Sequence, residues 1–149
     1  MRSVADPEAL ARLIVRLGAL RSDTPRLWGT LTPGEVLCHL ADATASVLGS
    51  KRPGQGRSRP FIKWLALYSP LPWAHGAKTP AHVDPRAGGT RPGDFEEDRR
   101  RAIEGLRQVA AAPAAAFPAA HALFGLMTDR DWRRWAYRHT DHHLKQFGQ

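Results

Sequence analysis

The chain has 149 residues, of which 42% are hydrophobic and 24% are charged, so it can bury the core of a single domain, predicted over 1–149. A single cysteine excludes an intramolecular disulfide and an all-cysteine zinc site. There is no run of about 18 to 20 apolar residues that would predict a membrane span. The opening residues lack the apolar stretch of a secretory signal, so we expect a cytoplasmic protein without membrane partners.

The charge balance is 22 Lys and Arg against 14 Asp and Glu, a formal net charge of +8. A basic surface attracts nucleic acid and other anions, so nucleic-acid binding is one hypothesis. The basic residues are mostly scattered, however, and only 51–59 forms a cluster, in Pro/Gly-containing loop sequence without a recognised binding motif. We therefore place nucleic-acid binding last among the functions considered.

Helix-start signals divide the first third of the chain. Asp6, followed by a proline, predicts a helix over 7–20 with apolar residues at helical spacing. Thr32 and Glu35 form a capping box that starts a second helix over 33–49.

The middle of the chain predicts a short buried helix over 61–68 and then a long loop. Residues 70–93 hold five prolines and four glycines, too many for regular structure, and such loops often cover a site. Asp94 caps a third long helix, which ends near residue 111, and Thr128 caps the last one. With no convincing strand, these elements predict an all-α bundle of four long amphipathic helices plus one short apolar helix.

Histidines carry the sharpest chemical signal. His139 and His143 lie four residues apart on the last helix, so their imidazoles leave the same face and can reach one ion. A stable site needs a third protein ligand, and His39, on the apolar face of the second helix, is the natural candidate. The alternative for His39 is a core residue satisfied by a hydrogen bond to a neighbour, and the alternative for the pair is a chance spacing on an exposed helix face.

Four polar residues are candidates to support such a site. Gln146 lies one turn beyond the histidine pair and could orient a ligand or a bound water. Glu35 and Asp42 flank the third histidine, where Asp42 could accept a proton from the imidazole or face water, and neither is an obvious general base. His121 could close over the ion or cap a turn. Three histidines without a base suit a Lewis-acid role.

Two segments carry a resemblance to a known family: LWGTLTPGEVLCHLADA and HALFGLMTDRDWRRWAYRHTDHHLKQFG. They resemble the DinB/YfiT-like metalloenzyme superfamily, in a branch defined only as a domain of unknown function. The resemblance implies an up-down-down-up four-helix bundle that binds a divalent ion through one early histidine and a later pair four residues apart. On this chain those positions are His39, His139 and His143.

The resemblance also implies a reaction class. Relatives of known activity use the ion to activate a low-molecular-weight thiol, such as bacillithiol or mycothiol, and some are hydrolase-like. The leading hypothesis is therefore a metal-dependent thiol S-transferase or hydrolase that uses zinc or nickel, with iron or manganese as further candidates, and acts on a small molecule as a homodimer. The alternative is a non-catalytic helical module with a structural metal or core histidines, acting by dimerisation or ligand binding.

Overall fold

The computed structural model describes residues 2–49 and 59–149 and is mostly helical, as predicted. All but the last residue of the predicted basic cluster over 51–59 lies outside the described residues. Within the described ranges, the chain forms five α-helices: α1 (Pro7–Ala19), α2 (Pro33–Val47), α3 (Pro60–Tyr68), α4 (Phe95–Ala111) and α5 (Asp129–Lys145). Short 3-10 turns occupy Ala81–Val83 and Ala114–Ala116.

The capping residues begin the helices where the sequence predicts. The Asp6 side chain accepts a backbone N–H at the start of α1. Thr32 and Glu35 form both hydrogen bonds of a capping box on α2, and Thr128 and Asp131 do the same on α5. Each cap satisfies backbone N–H groups that have no partner within the first turn. Local chemistry therefore decides these starts, independently of the rest of the fold.

Helix α2 is the central helix, because 12 of its 15 residues are buried. It packs most extensively against α4, and it also contacts α5 and the turn Ala81–Val83. The sequence predicts an amphipathic helix with one buried face, but three neighbours contact α2 and leave few of its residues exposed. Buried on nearly every side, α2 carries polar groups that must find partners inside the protein.

A small hairpin precedes α5, where the sequence predicted only a connector. Strands β1 (Ala120–His121) and β2 (Gly125–Leu126) pair antiparallel, with Ala120 opposite Leu126. The turn depends on Gly125, whose φ of 71° is a left-handed conformation that favours glycine. Two-residue strands produce no alternating pattern, so periodicity does not reveal them.

No helix in the described ranges is both long enough and apolar enough to cross a lipid bilayer.

Candidate metal centre

Three histidines from two helices converge on one point. His39 comes from α2, and His139 and His143 come from successive turns of α5. Each offers one ring nitrogen, and these three atoms all lie within 4.8 Å of one another. The Nε2 atoms of His39 and His139 are 3.0 Å apart. The structure thus brings together the three residues that the sequence predicted, in a group able to hold a metal ion.

Oxygen atoms orient two of the three rings from behind. His39 Nδ1 lies 2.8 Å from the carbonyl oxygen of Val83, and His143 Nδ1 lies 2.8 Å from Oε1 of Gln146. Because both oxygens only accept hydrogen bonds, each Nδ1–H is the donor. The proton is therefore on Nδ1, which leaves the Nε2 lone pair directed away from these oxygens. Gln146 thus has the orienting position that its spacing predicted.

The environment keeps the three imidazoles neutral. Burial is the largest cause that lowers the pKa of each ring below its ordinary value. The other histidines of the cluster lower the pKa values of His139 and His143 further, since protonation of one ring opposes protonation of the next. A neutral imidazole is the form that binds a metal ion.

Aromatic rings enclose the cluster. The Trp135 ring stacks on His139 with centroids 4.6 Å apart and an interplanar angle of 16°. The Trp73 ring centroid lies 6.1 Å from that of His139, and Trp73 lies outside α5.

Within the described ranges, no carboxylate or thiol joins the three histidines in a metal-ligating group. A three-ligand set leaves coordination positions for water or substrate, as catalytic sites require.

Glu35 lies away from the histidine nitrogens and holds the long loop. Both of its carboxylate oxygens are 2.6 Å from the Arg86 guanidinium, which also donates to the carbonyl of Thr30. The hydrogen bonds from Arg86 are the largest cause that lowers the pKa of Glu35, to about 2. This carboxylate is therefore charged and engaged in an ion pair, so we assign it no proton-transfer role.

Asp42 holds the same loop about two turns further along α2. Its oxygens accept from the backbone N–H of Thr90 at 2.6 Å and from the Thr90 hydroxyl at 2.9 Å. Glu35, His39 and Asp42 lie at positions i, i+4 and i+7, which is one face of α2. Each of them bonds to a different part of the segment 83–90. The two carboxylates thus position the turn whose Val83 carbonyl orients His39.

His121 caps a turn of the hairpin. Its Nδ1 accepts the backbone N–H groups of Leu123 at 3.0 Å and Phe124 at 3.4 Å. Its ring stacks on Phe124 with centroids 4.5 Å apart and lies 5.9 Å from Trp135. Of the two roles left open by the sequence, the structure shows turn capping. Burial lowers the pKa of His121 to about 4.

Sequence reasoning missed Val83, which contributes only a backbone carbonyl and so leaves no mark on residue type. Trp135 also contacts the site, and its position four residues before His139 favours the same face of α5. Cys38, interpreted as a packed thiol, is buried next to Asp98, and burial is the main cause that raises its pKa to about 12.

Comparisons of the chain with models of protein families, with curated proteins and with solved structures find no match. Membership of the DinB/YfiT-like superfamily therefore stays a prediction from the two motifs.

Proposed function

We propose that this protein is a divalent-metal-dependent enzyme whose ion is held by His39, His139 and His143. One observation carries the proposal: three neutral imidazoles from two helices direct nitrogen atoms to within 4.8 Å of one another. The two oriented Nδ1–H groups support it, because metal-ligating histidines commonly donate their other N–H to an oxygen.

A bound ion would act as a Lewis acid that lowers the pKa of a water or thiol on an open position. The motif resemblance favours transfer of a low-molecular-weight thiol, or hydrolysis, as the reaction. It also favours an up-down-down-up arrangement of the helices. We include a homodimer in the proposal because helical bundles of this kind often pair through exposed apolar faces, and we include the cytoplasmic location expected from the sequence. Imidazole ligands suit zinc or nickel first, then iron or manganese.

Metal content tests the proposal directly. Protein purified without a histidine tag is analysed for metals beside His39→Ala, His139→Ala and His143→Ala. We expect near-stoichiometric metal in the parent and its loss from each variant. His82→Ala is the matched control, because this histidine directly precedes Val83 in the turn Ala81–Val83 and lies outside the cluster. A parent without metal after reconstitution with zinc, nickel or manganese would contradict the proposal.

Cobalt substitution separates a catalytic site from a structural one. In a site with an open position, an added thiol such as 2-mercaptoethanol binds the ion as a thiolate and changes the visible absorption of cobalt. A closed structural site would give a spectrum that the thiol does not alter.

The second candidate is a helical module with core histidines, and one contact favours it. His39 and His139 can share a hydrogen bond between their Nε2 atoms at 3.0 Å, so these two nitrogen atoms have a partner without an ion. This candidate predicts no metal in the parent. It also predicts that a chelator such as EDTA leaves the unfolding temperature unchanged.

A further inference from the structure

A cleft of about 310 Å³ lies beside the histidine cluster. Its volume is at the low end of the range for small-molecule sites, roughly 300 to 1,000 Å³. The cleft and the cluster share a wall: the Trp73 ring lines the cleft, and its centroid is 6.1 Å from that of the proposed ligand His139. The His142 ring also lines the cleft, 5.4 Å from the ring of His143. A molecule in the cleft would therefore lie next to the proposed metal site.

The walls of the cleft combine flat aromatic surface with cations. Trp28 stacks on His75 with centroids 3.7 Å apart and an interplanar angle of 8°, which holds the indole ring in place. Trp73 is held by a 2.8 Å hydrogen bond from its Nε1 to the carbonyl of Ala66. Two tryptophans fixed in this way suit a planar or apolar ligand body.

The charged residues that line the cleft have a net positive charge. Asp141 is the carboxylate that lines it, and its oxygens are already shared between Lys145 at 2.7 Å and Arg16 at 2.6 Å. Among the residues that line the cleft, one carboxylate therefore stands against two cations, Lys145 and Arg138.

Arg138 lines the cleft and forms no ion pair at contact distance with a carboxylate of the described residues. Its Nε donates to the carbonyl of Ala66 at 3.1 Å, and its Nη2 donates to the carbonyl of Leu71. These bonds fix the guanidinium on the cleft wall and leave three of its five N–H groups for other acceptors. An anionic ligand would compensate the charge of Arg138 on the cleft wall.

We propose that this cleft is the substrate subsite of the protein and that it takes a small planar carboxylate, with the body against the aromatic wall formed by Trp28 and Trp73 and the anion against Arg138 and Lys145. This inference rests on the proposed function, because a cleft beside the metal centre is a substrate subsite only if that centre is catalytic. Another cavity in the described residues, about 400 Å³ between α2 and α4, makes a poorer candidate because no aromatic ring or histidine lines it.

Benzoate, benzamide and acetate are suitable probes, and calorimetry or tryptophan fluorescence measures their binding. Benzamide keeps the ring and removes the charge, and acetate keeps the charge and removes the ring. We expect benzoate to bind about tenfold more tightly than either, because an ionic hydrogen bond and the stacked ring each contribute at least about that factor. Equal affinity for benzoate and benzamide would overturn the proposal.

Variants locate the binding. Arg138→Met is expected to weaken benzoate binding about tenfold and to leave benzamide binding unchanged. Lys145→Met is expected to weaken benzoate binding about threefold. This variant keeps the test usable if Arg138→Met fails to fold, because the Lys145 side chain is 59% exposed. Arg107→Met removes an exposed α4 charge as the control. Unchanged benzoate affinity in Lys145→Met would overturn the proposal.

Metal-free protein separates this inference from the proposed function. The titrations are repeated on chelator-treated protein and on His139→Ala, with metal content measured on the same samples. Benzoate selectivity that persists without metal supports the cleft, whether or not the parent binds an ion. A parent that binds metal but shows benzoate binding only when the ion is present would retain the proposed function and overturn the subsite.

Discussion

The His121 side chain acts as a neutral hydrogen-bond acceptor. Its Nδ1 accepts hydrogen bonds from two backbone N–H groups, so a proton on that atom would break both bonds. The resulting charge would also lie in a half-buried, largely apolar environment. Burial lowers its pKa to about 4, against an ordinary value of 6.5. Between these values the unfolded chain binds the proton and the folded chain does not. His121 therefore contributes stability that is complete above pH 6.5 and is lost as the pH falls through about 4.

His121→Asn is expected to remove this pH dependence, because the amide oxygen keeps an acceptor and does not titrate. Between pH 7 and pH 4.5 the free energy of unfolding of the parent should fall by about 2 kcal/mol more than that of the variant, after allowance for solvent screening. Urea unfolding followed by circular dichroism at both pH values measures the difference, in which the other histidines cancel. Parallel pH curves would show that His121 is protonated as easily in the folded protein as in the unfolded one.

At the scale of elements, the contact between α2 and α4 depends on a missing side chain. A Cβ atom at Gly105 would overlap Oγ1 of Thr44 and lie 3.0 Å from its Cβ. Thr44 has little room to move, because its hydroxyl bonds to the carbonyls of Leu40 and Ala41. The two helices can therefore approach this closely only with glycine at position 105. Helical spacing on α4 gives no sign of this requirement.

Gly105→Ala is expected to lower the free energy of unfolding by about 1 to 3 kcal/mol, as overpacking does in well-packed cores. Gly18→Ala is the matched control, because no atom lies within 4 Å of its added Cβ, and we expect a gain of about 0.5 kcal/mol. Chemical denaturation measures both. The double variant with Thr44→Ala should recover part of the loss, and a Gly105→Ala protein as stable as the parent would show that the helices separate at little cost.

At the scale of the whole molecule, the histidine cluster joins two parts of the chain separated by about a hundred residues. His39 belongs to the central helix α2, whereas His139 and His143 belong to α5 near the end of the chain. Any ion bound by all three therefore binds the folded chain more tightly than the unfolded one. Metal affinity and global stability are linked in that case.

Zinc is expected to stabilise the parent against unfolding. At a free zinc concentration about 100 times the dissociation constant, linkage predicts a gain of about 2.7 kcal/mol in the free energy of unfolding. His139→Ala should lose most of this gain, while His82→Ala should keep it. Thermal unfolding with and without zinc, with EDTA as the reversal, measures the effect. An equal gain in His139→Ala would show that zinc binds elsewhere on the protein.

The sequence by itself determined the local features of this protein. Side-chain caps at Asp6, Thr32 and Thr128 start helices because each satisfies backbone groups within one turn, and the spacing of His139 and His143 places both rings on one face. The mostly helical class follows from the same local patterns.

Only the tertiary structure decided the distances between remote segments. It brought His39 to the α5 pair, placed the Val83 carbonyl behind its ring, and directed Glu35 and Asp42 to the loop over α2. The physical reason is that these contacts depend on how α2, α5 and the loop pack together. Packing is set by the whole set of buried surfaces, and a backbone carbonyl or a close helix approach leaves no local pattern in the sequence.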